Sequence, residues 1–404
     1  MILGMGPIRY FLNPRADPGQ PYGPELSAIL NAKAHELAFQ EISSLEGYGP
    51  TPLLELGGLA RRLGVRSLWY KDESTRLGLG SFKALGGIYG VFRALRDAAG
   101  GDLALRDVPG GDPALREAVA GLTVTCASVG NHGRAVARGA ALLGCRAVIF
   151  LPARTPPERM QAIRKLGAEI VTVDGTYDDA VRRAAREAWE RGWTVVSDTA
   201  YPGYEEIPRH IMQGYTVMVR EALAELPVGV LPTHVFVQAG VGGLAAAVTA
   251  HLWEILGPDR PRVVVVEPQE ADCLLESALA LESTPALESP PAMEPSASKG
   301  SLATSMECLA CRNPSTVAWR ILREGVHAFL TIPDRAAEET VVFLRRGLGG
   351  DPPVHTQPSG AAGLAGLLAA LHEPGLARPL HLDATSRVLV FGSEGPLFRR
   401  NDHE

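Results

Sequence analysis

The stretch LTVTCASVGNHGRAVARGAALLGCRAVIFL, residues 122–151, decides the fold. Residues 122–127 form a β-rich run and a glycine-flanked turn follows at 128–133. Small apolar residues then recur at helical spacing to 143, and 147–151 is a second apolar strand. Strand, helix and strand in so short a span predict a parallel crossover unit. The rhythm continues with helices over 156–166, 177–191, 210–225, 244–256 and 360–371 and strands over 170–173, 194–196, 234–238, 263–267 and 387–391. Short apolar strands alternating with longer helices mean parallel sheets covered by helices on both faces, so the fold class is α/β. Upstream, 25–45 reads as an amphipathic lead helix, 51–54 and 67–70 as short extended pieces, and 81–98 as a helix with Ser81 as its N-cap. Two stretches break the pattern. Residues 97–117, rich in Gly, Asp and Pro, read as a surface excursion; 282–300, biased to Ser, Pro, Glu and Ala, reads as a mobile loop.

Length and composition narrow the function. The 404 residues suggest two domains or one large one, with a core large enough to need no disulfide or metal staple. A net charge of −6 argues against nucleic acid as partner. No apolar run reaches the roughly 18 residues that span a bilayer, and residues 1–14 lack the basic and apolar regions of a secretory signal. Five cysteines are too few for a disulfide scaffold, and Cys308-Leu309-Ala310-Cys311 is a lone CxxC without a His set, so no metal site is expected. The expectation is a soluble, cytoplasmic protein acting on a small molecule. Only five of its 39 basic residues are lysines (Lys33, Lys71, Lys83, Lys165 and Lys299), which leaves few amines able to act as nucleophiles.

Four segments can carry chemistry. Lys83 stands behind Phe82 and the turn Gly78-Leu79-Gly80-Ser81, where desolvation would lower its pKa and activate its amine; taken alone, a solvated lysine in a first helical turn is the default reading. The turn Ser128-Val129-Gly130-Asn131-His132-Gly133 directs backbone N–H groups toward an anion such as a carboxylate, or is a plain strand-to-helix turn in which His132 is structural. The turn Gly240-Val241-Gly242-Gly243-Leu244 suits a phosphate; it departs from G-x-G-x-x-G and has no acidic residue at the spacing of a dinucleotide site. Ser393 follows the last buried strand, where a hydroxyl could meet a neutral ring nitrogen.

One lysine, an Asn turn and a phosphate loop in that order make a pyridoxal phosphate site. The arrangement resembles the fold-type II pyridoxal phosphate enzymes. In particular Tyr70 to Ser74, Arg76 to Gly87, Gly130 to Arg134, Asp198-Thr199-Ala200, Ile207-Pro208, Met212 to Tyr215, Met306 to Cys311, Pro314-Ser315 and Ala318-Trp319 look like the diaminopropionate ammonia-lyase family. The resemblance runs from about Thr51 to Gly395 and implies two parallel-sheet, three-layer domains with the cofactor in their cleft. The larger would be 1–83 and 206–404 and the smaller, substrate-closing one 84–205, in a homodimer.

Carried onto these residues, the resemblance makes Lys83 the lysine that holds the cofactor and then takes the Cα proton. Lys71 is its near competitor without the Ser-Phe-Lys context. Phe82 would flank the cofactor, Asn131 would hold its 3′-oxygen, Gly240, Val241, Gly242, Gly243 and Leu244 its phosphate, and Ser393 its ring nitrogen. Ser128, Val129, Gly130 and His132 would grip the substrate carboxylate, and Asp198 would serve the departing amino group. The implied activity is α,β-elimination on L-2,3-diaminopropionate or a similar β-substituted L-amino acid, giving pyruvate and ammonia. The alternative is a β-replacement synthase that uses the same aminoacrylate.

The departures matter too. The lyases carry Thr-Asp where this chain has Ser128-Val129, and that aspartate is the natural second base for a D-isomer. Glu394-Gly395 is followed by Pro396-Leu397 rather than Asp-Thr, and Glu307, Cys308, Arg312 and Asn313 replace small residues. The lyases also have cysteines at the positions of Cys273 and Cys311, whose pairing would tether the 282–300 stretch, although reduced thiols are the default in a cytosol.

Overall fold

The computed structural model describes residues 8–98, 113–282 and 294–396. Its strands are β1 (Tyr10–Leu12), β2 (Leu53–Glu55), β3 (Ser67–Asp72), β4 (Thr123–Ala127), β5 (Arg146–Pro152), β6 (Glu169–Val173), β7 (Thr194–Val195), β8 (His234–Gln238), β9 (Arg262–Pro268), β10 (Ala328–Ile332) and β11 (Arg387–Gly392). The chain divides into two compact units. The first takes the described residues through Ala32, Pro50–Thr75 and those from Met218 onward; the second takes Lys33–Gly49 and Arg76–Val217.

The first unit is built on a seven-stranded sheet in the order β1-β10-β9-β8-β11-β3-β2. Its interior pairings are parallel and its two outer ones, β1 with β10 and β2 with β3, are antiparallel. Strand β9 reads Arg-Val-Val-Val-Val-Glu-Pro and is buried from Val263 to Pro268, as a strand covered on both faces must be. Phe236 of β8 stands in register with Val264 of β9 and Val390 of β11, and all three join the main core. Helix Pro358–His372, almost wholly buried, packs along this sheet.

One buried group in this unit sets a pH limit. Glu267 ends β9 and accepts the backbone N–H groups of Leu274 and Leu275, both at 2.8 Å, at the start of helix Cys273–Glu282. Burial pushes its carboxyl up to about 8, against the lowering effect of those two hydrogen bonds. With a folded pKa above the unfolded value, its contribution is complete below the ordinary glutamate range and is lost as pH rises through 8. Thermal unfolding followed from pH 5 to pH 9 should therefore show a midpoint that falls up to about pH 8 and levels off above it, and Glu267→Gln should flatten that fall.

The second unit holds a parallel sheet in the order β6-β5-β4-β7. Helix Lys83–Ala98 packs on helix Asn131–Leu143 at close range, because glycine stands at the contacts. A Cβ on Gly87 would lie 2.4 Å from that of Ala135, and one on Gly86 2.3 Å from the ring of Tyr215. These contacts, together with Gly214 lying against Leu85 and Gly86, group 76–83 and 206–217 with this unit, so Lys83 belongs to it and the boundaries fall outside the expected 84–205.

Other differences have local causes. The lead helix is two pieces, Pro24–Ser27 and Ala32–Ser43. The three-residue β1 and β2 are too short to show alternation, and β10 lay in a stretch where no strand was expected. Of the two irregular stretches, residues 99–112 and 283–293 lie outside the described residues. The described end of the second is anchored rather than loose. Ser296 N–H donates to Ser277 Oγ at 2.8 Å, Ser298 Oγ to Asp272 at 2.6 Å, and Arg312 to the Ser298 carbonyl at 2.8 Å. No helix among the described residues is long and apolar enough to cross a membrane.

Candidate active site

In the second unit, Lys83 opens its helix, two residues later than expected, with its N–H donating to Ser81 Oγ at 3.3 Å. Its ammonium donates to Asp198 Oδ2. The two side chains remain 19% and 20% exposed, so the pair is reachable. Two aromatic rings stand beside the ammonium, Phe82 at 5.2 Å and Tyr215 at 5.5 Å from the ring centroids, within cation–π range. The rings themselves lie 4.7 Å apart at 59°.

The electrostatics correct one expectation. Burial alone pulls the Lys83 amine down, but the adjacent Asp198 charge, helped by Tyr215, outweighs it and the net pKa is raised. For Asp198, burial pushes upward, yet the adjacent Lys83 charge holds the carboxyl well below the usual range. The pair therefore rests as ammonium and carboxylate. An activated amine requires that the proton leave Lys83, and the shared hydrogen bond is where it can go.

The turn at 128–133 leads into helix Asn131–Leu143. Gly130 N–H donates to Ser128 Oγ at 3.3 Å, and a Cβ at Gly133 would stand 2.6 Å from the Ser128 carbonyl, so the tight turn requires glycine there. Asn131 accepts from Arg134 at 3.3 Å. Buried His132 lies with Nε2 at 2.8 Å from the Val196 carbonyl, which can only accept, so Nε2 carries the proton. Burial lowers the His132 pKa and keeps the ring neutral; its bare Nδ1 stands 4.0 Å from Asp198 Oδ2. His132 is thus tied to the segment that carries Asp198.

In the first unit, β8 runs into the glycine turn. Ala239 N–H donates to the Val266 carbonyl at 2.9 Å and Ser315 N–H to that of Val241 at 2.8 Å, fixing the loop from both sides. Gly242 takes φ +97, a left-handed conformation, and no side chain caps helix Gly243–Leu256. A Cβ on Gly240 would lie 2.8 Å from Cys311 Sγ, so the backbone is bare by necessity. At the end of β11, Gln238 Nε2 donates to the Phe391 carbonyl at 2.9 Å and to Ser393 Oγ at 2.7 Å. Because a carbonyl only accepts, the amide orientation is fixed. Ser393 Oγ is then the acceptor, and its own proton is directed elsewhere.

Lys71 has a different fate. It is 0% exposed, donates to the Thr51 carbonyl, and pairs with Glu221 at 3.0 Å and Glu225 at 2.7 Å. Every direction its ammonium can donate is taken. None of the five cysteines is in a disulfide, so Cys273 and Cys311 do not pair; the Cys273 thiol donates instead toward the Gly240 carbonyl at 3.5 Å.

A family model described as pyridoxal-phosphate dependent enzyme matches residues 45–390. The diaminopropionate ammonia-lyase of Escherichia coli K12 is 37% identical over 376 residues, 92% of this chain and 90% of its own length. That of Salmonella typhimurium is 38% identical over 381 residues, 92% and 91%. The chain belongs to the diaminopropionate ammonia-lyase family of pyridoxal-phosphate-dependent enzymes. The crystal structure of E. coli diaminopropionate ammonia lyase in complex with an aminoacrylate–PLP azomethine reaction intermediate matches with a TM-score of 0.83 at 34% identity, covering 98% of this chain and 95% of that one.

The residues of this ammonia-lyase family member fit pyridoxal phosphate. The second unit offers a reachable lysine beside a carboxylate. The first offers an uncapped glycine turn for a phosphate and a serine hydroxyl whose proton is not used by Gln238. Lys83, Phe82, Asp198 and His132 cluster in the second unit, on a par with the adjoining turn; Gly240 to Leu244 and Ser393 belong to the first. Gln238 beside Ser393 and Tyr215 beside Lys83 were not among the expected site residues. Tyr215 could have been flagged from Gly86 and Gly214, since paired glycines on facing helices mark a ring seated close by.

Proposed function

We propose that this chain is an ammonia-lyase that removes the β-amino group of L-2,3-diaminopropionate by α,β-elimination, yielding pyruvate and two ammonia. The observation that carries this reading is the Lys83–Asp198 pair, a base and an acid joined by one hydrogen bond. When bound, pyridoxal phosphate supplies an electron sink that makes the Cα proton of an amino acid removable. Lys83 would hold the cofactor and, once its amine is free, would take the Cα proton. The resulting ammonium, with Phe82 and Tyr215 beside it, would pass its proton to Asp198. Asp198 protonates the β-nitrogen, which leaves as ammonia, and the released enamine hydrolyses to pyruvate and a second ammonia. In the same reading Asn131 holds the cofactor's 3′-oxygen and Gly240, Val241, Gly242, Gly243 and Leu244 bind its phosphate. Ser128, Val129, Gly130 and His132 form the turn for the substrate carboxylate. Ser393, its hydroxyl oriented by Gln238, would face the ring nitrogen with a neutral donor, which suits elimination.

β-Replacement is not favoured, since the similar E. coli and Salmonella proteins are both named ammonia-lyases. Titration of the holoenzyme with L-2,3-diaminopropionate, L-serine and O-acetyl-L-serine, with pyruvate assayed alongside, tests the reading. Rapid pyruvate from L-2,3-diaminopropionate is expected; a persistent absorbance change with little pyruvate would count for a synthase. Val129 cannot accept a proton, so pyruvate from pure D-2,3-diaminopropionate should form at least ~10²-fold more slowly than from the L-isomer, the lower end of what a positioned base contributes. Equal rates would sink that expectation. The reading also includes a cytoplasmic homodimer, which five reduced thiols suit and which sedimentation of the holoenzyme checks.

A further inference from the structure

We propose that Tyr204 is a positioning residue for Asp198, its phenol fixing the short backbone segment from which the carboxylate projects. The inference rests on the reading of Asp198 as the acid for the departing nitrogen. Asp198 follows β7 by way of Val196 and Ser197, which belong to no helix or strand, so their polar backbone groups need other partners. Tyr204 supplies one of them and also ties down the last carbonyl of β7. Its hydroxyl donates to the Val195 carbonyl at 2.9 Å and accepts the Ser197 N–H at 2.9 Å. Between these, the Val196 N–H donates to the Thr125 carbonyl at 2.8 Å, and the Val196 carbonyl receives His132 Nε2–H at 2.8 Å. The residues preceding Asp198 are therefore held in succession by one phenol, one strand and one imidazole.

Tyr204 itself has a rigid mount. Tyr201 and Tyr204 form an isolated β-bridge, with hydrogen bonds of 3.3 Å and 2.8 Å exchanged between their backbones. Gly203 turns the chain at φ +85, and the two rings stack at 5.0 Å and 19°. Burial pushes the Tyr204 phenol pKa up, so it keeps its proton across the working range and serves as donor and acceptor at once. Replacing Tyr204 by phenylalanine deletes only the oxygen. Bridge, stacking and ring volume stay, while Ser197 N–H and Val195 C=O lose this partner and Asp198 is free to drift from Lys83. Misplacing a reacting group by about 1 Å costs on the order of 10²-fold.

The test compares the Y204F, D198N and Y204F/D198N holoenzymes. Y204F should lower kcat for L-2,3-diaminopropionate about 10- to 100-fold with little change in KM, and should shift the pH at which the visible absorbance of the lysine-bound cofactor changes. In the D198N background the same substitution should alter neither rate nor absorbance midpoint further. Equal losses in both backgrounds, or a loss of thermal stability with unchanged kcat and absorbance midpoint, would overturn the inference. A D198N enzyme with the rate of the unaltered protein would overturn the reading of Asp198 itself, and the inference with it.

Discussion

Lys83→Ala should give a folded protein with no detectable elimination and no cofactor trapped by borohydride, whereas Lys71→Ala should damage folding and leave the chemistry per folded molecule intact. The contrast follows from surroundings. Lys83 keeps 19% exposure, one carboxylate partner and two flanking rings. Lys71 is enclosed by Thr51, Glu221 and Glu225, and removing it takes a buried cation from Glu221, itself almost fully buried. Breaking a buried ion pair from one side costs about 3–5 kcal/mol. Mass spectrometry after borohydride reduction and chemical denaturation of each variant read the two effects separately. Cofactor trapped on Lys71, or an active Lys83→Ala enzyme, would reverse the assignment.

Asp198→Asn should lower kcat by about 10²–10⁴, the contribution of a well-placed acid or base. The asparagine preserves size and one acceptor oxygen but can neither take the Lys83 proton nor hand it to the leaving nitrogen. It also removes the charge that raises the Lys83 pKa against burial, so in the cofactor-free protein the Lys83 pKa should fall. Acylation of Lys83 measured against pH in the cofactor-free D198N protein checks this second effect: reactivity should appear at lower pH than in the unaltered chain. Stability has its own signature. The depressed Asp198 pKa contributes stability above the ordinary carboxylate range that is lost as pH falls through it, and D198N should lack that acid-side loss.

The parts legible beforehand are those whose chemistry is local. Val263 to Val266 could only be a strand covered on both faces, and Gly240, Gly242 and Gly243 could only open a turn with exposed amides. Lys83 stood out because so few lysines exist and because Ser81 and Phe82 precede it. What escaped depends on partners distant along the chain. Ser393 takes its orientation from Gln238, Asp198 its place from Tyr204 and His132, and the Lys83 proton its direction from Asp198. Burial alone suggested a lowered lysine pKa; the carboxylate that reverses it lies 115 positions away in sequence. The unit boundaries shifted for a similar reason, since glycines at 86, 87 and 214 allow helices from separate segments to close on one another.

The most direct test of elimination is the yield of ammonia and pyruvate from L-2,3-diaminopropionate with the purified holoenzyme and no added nucleophile. Two ammonia released per pyruvate, continuing until substrate is exhausted, is the predicted result. Ammonia released once per active site, with pyruvate absent until a second substrate is supplied, would contradict it.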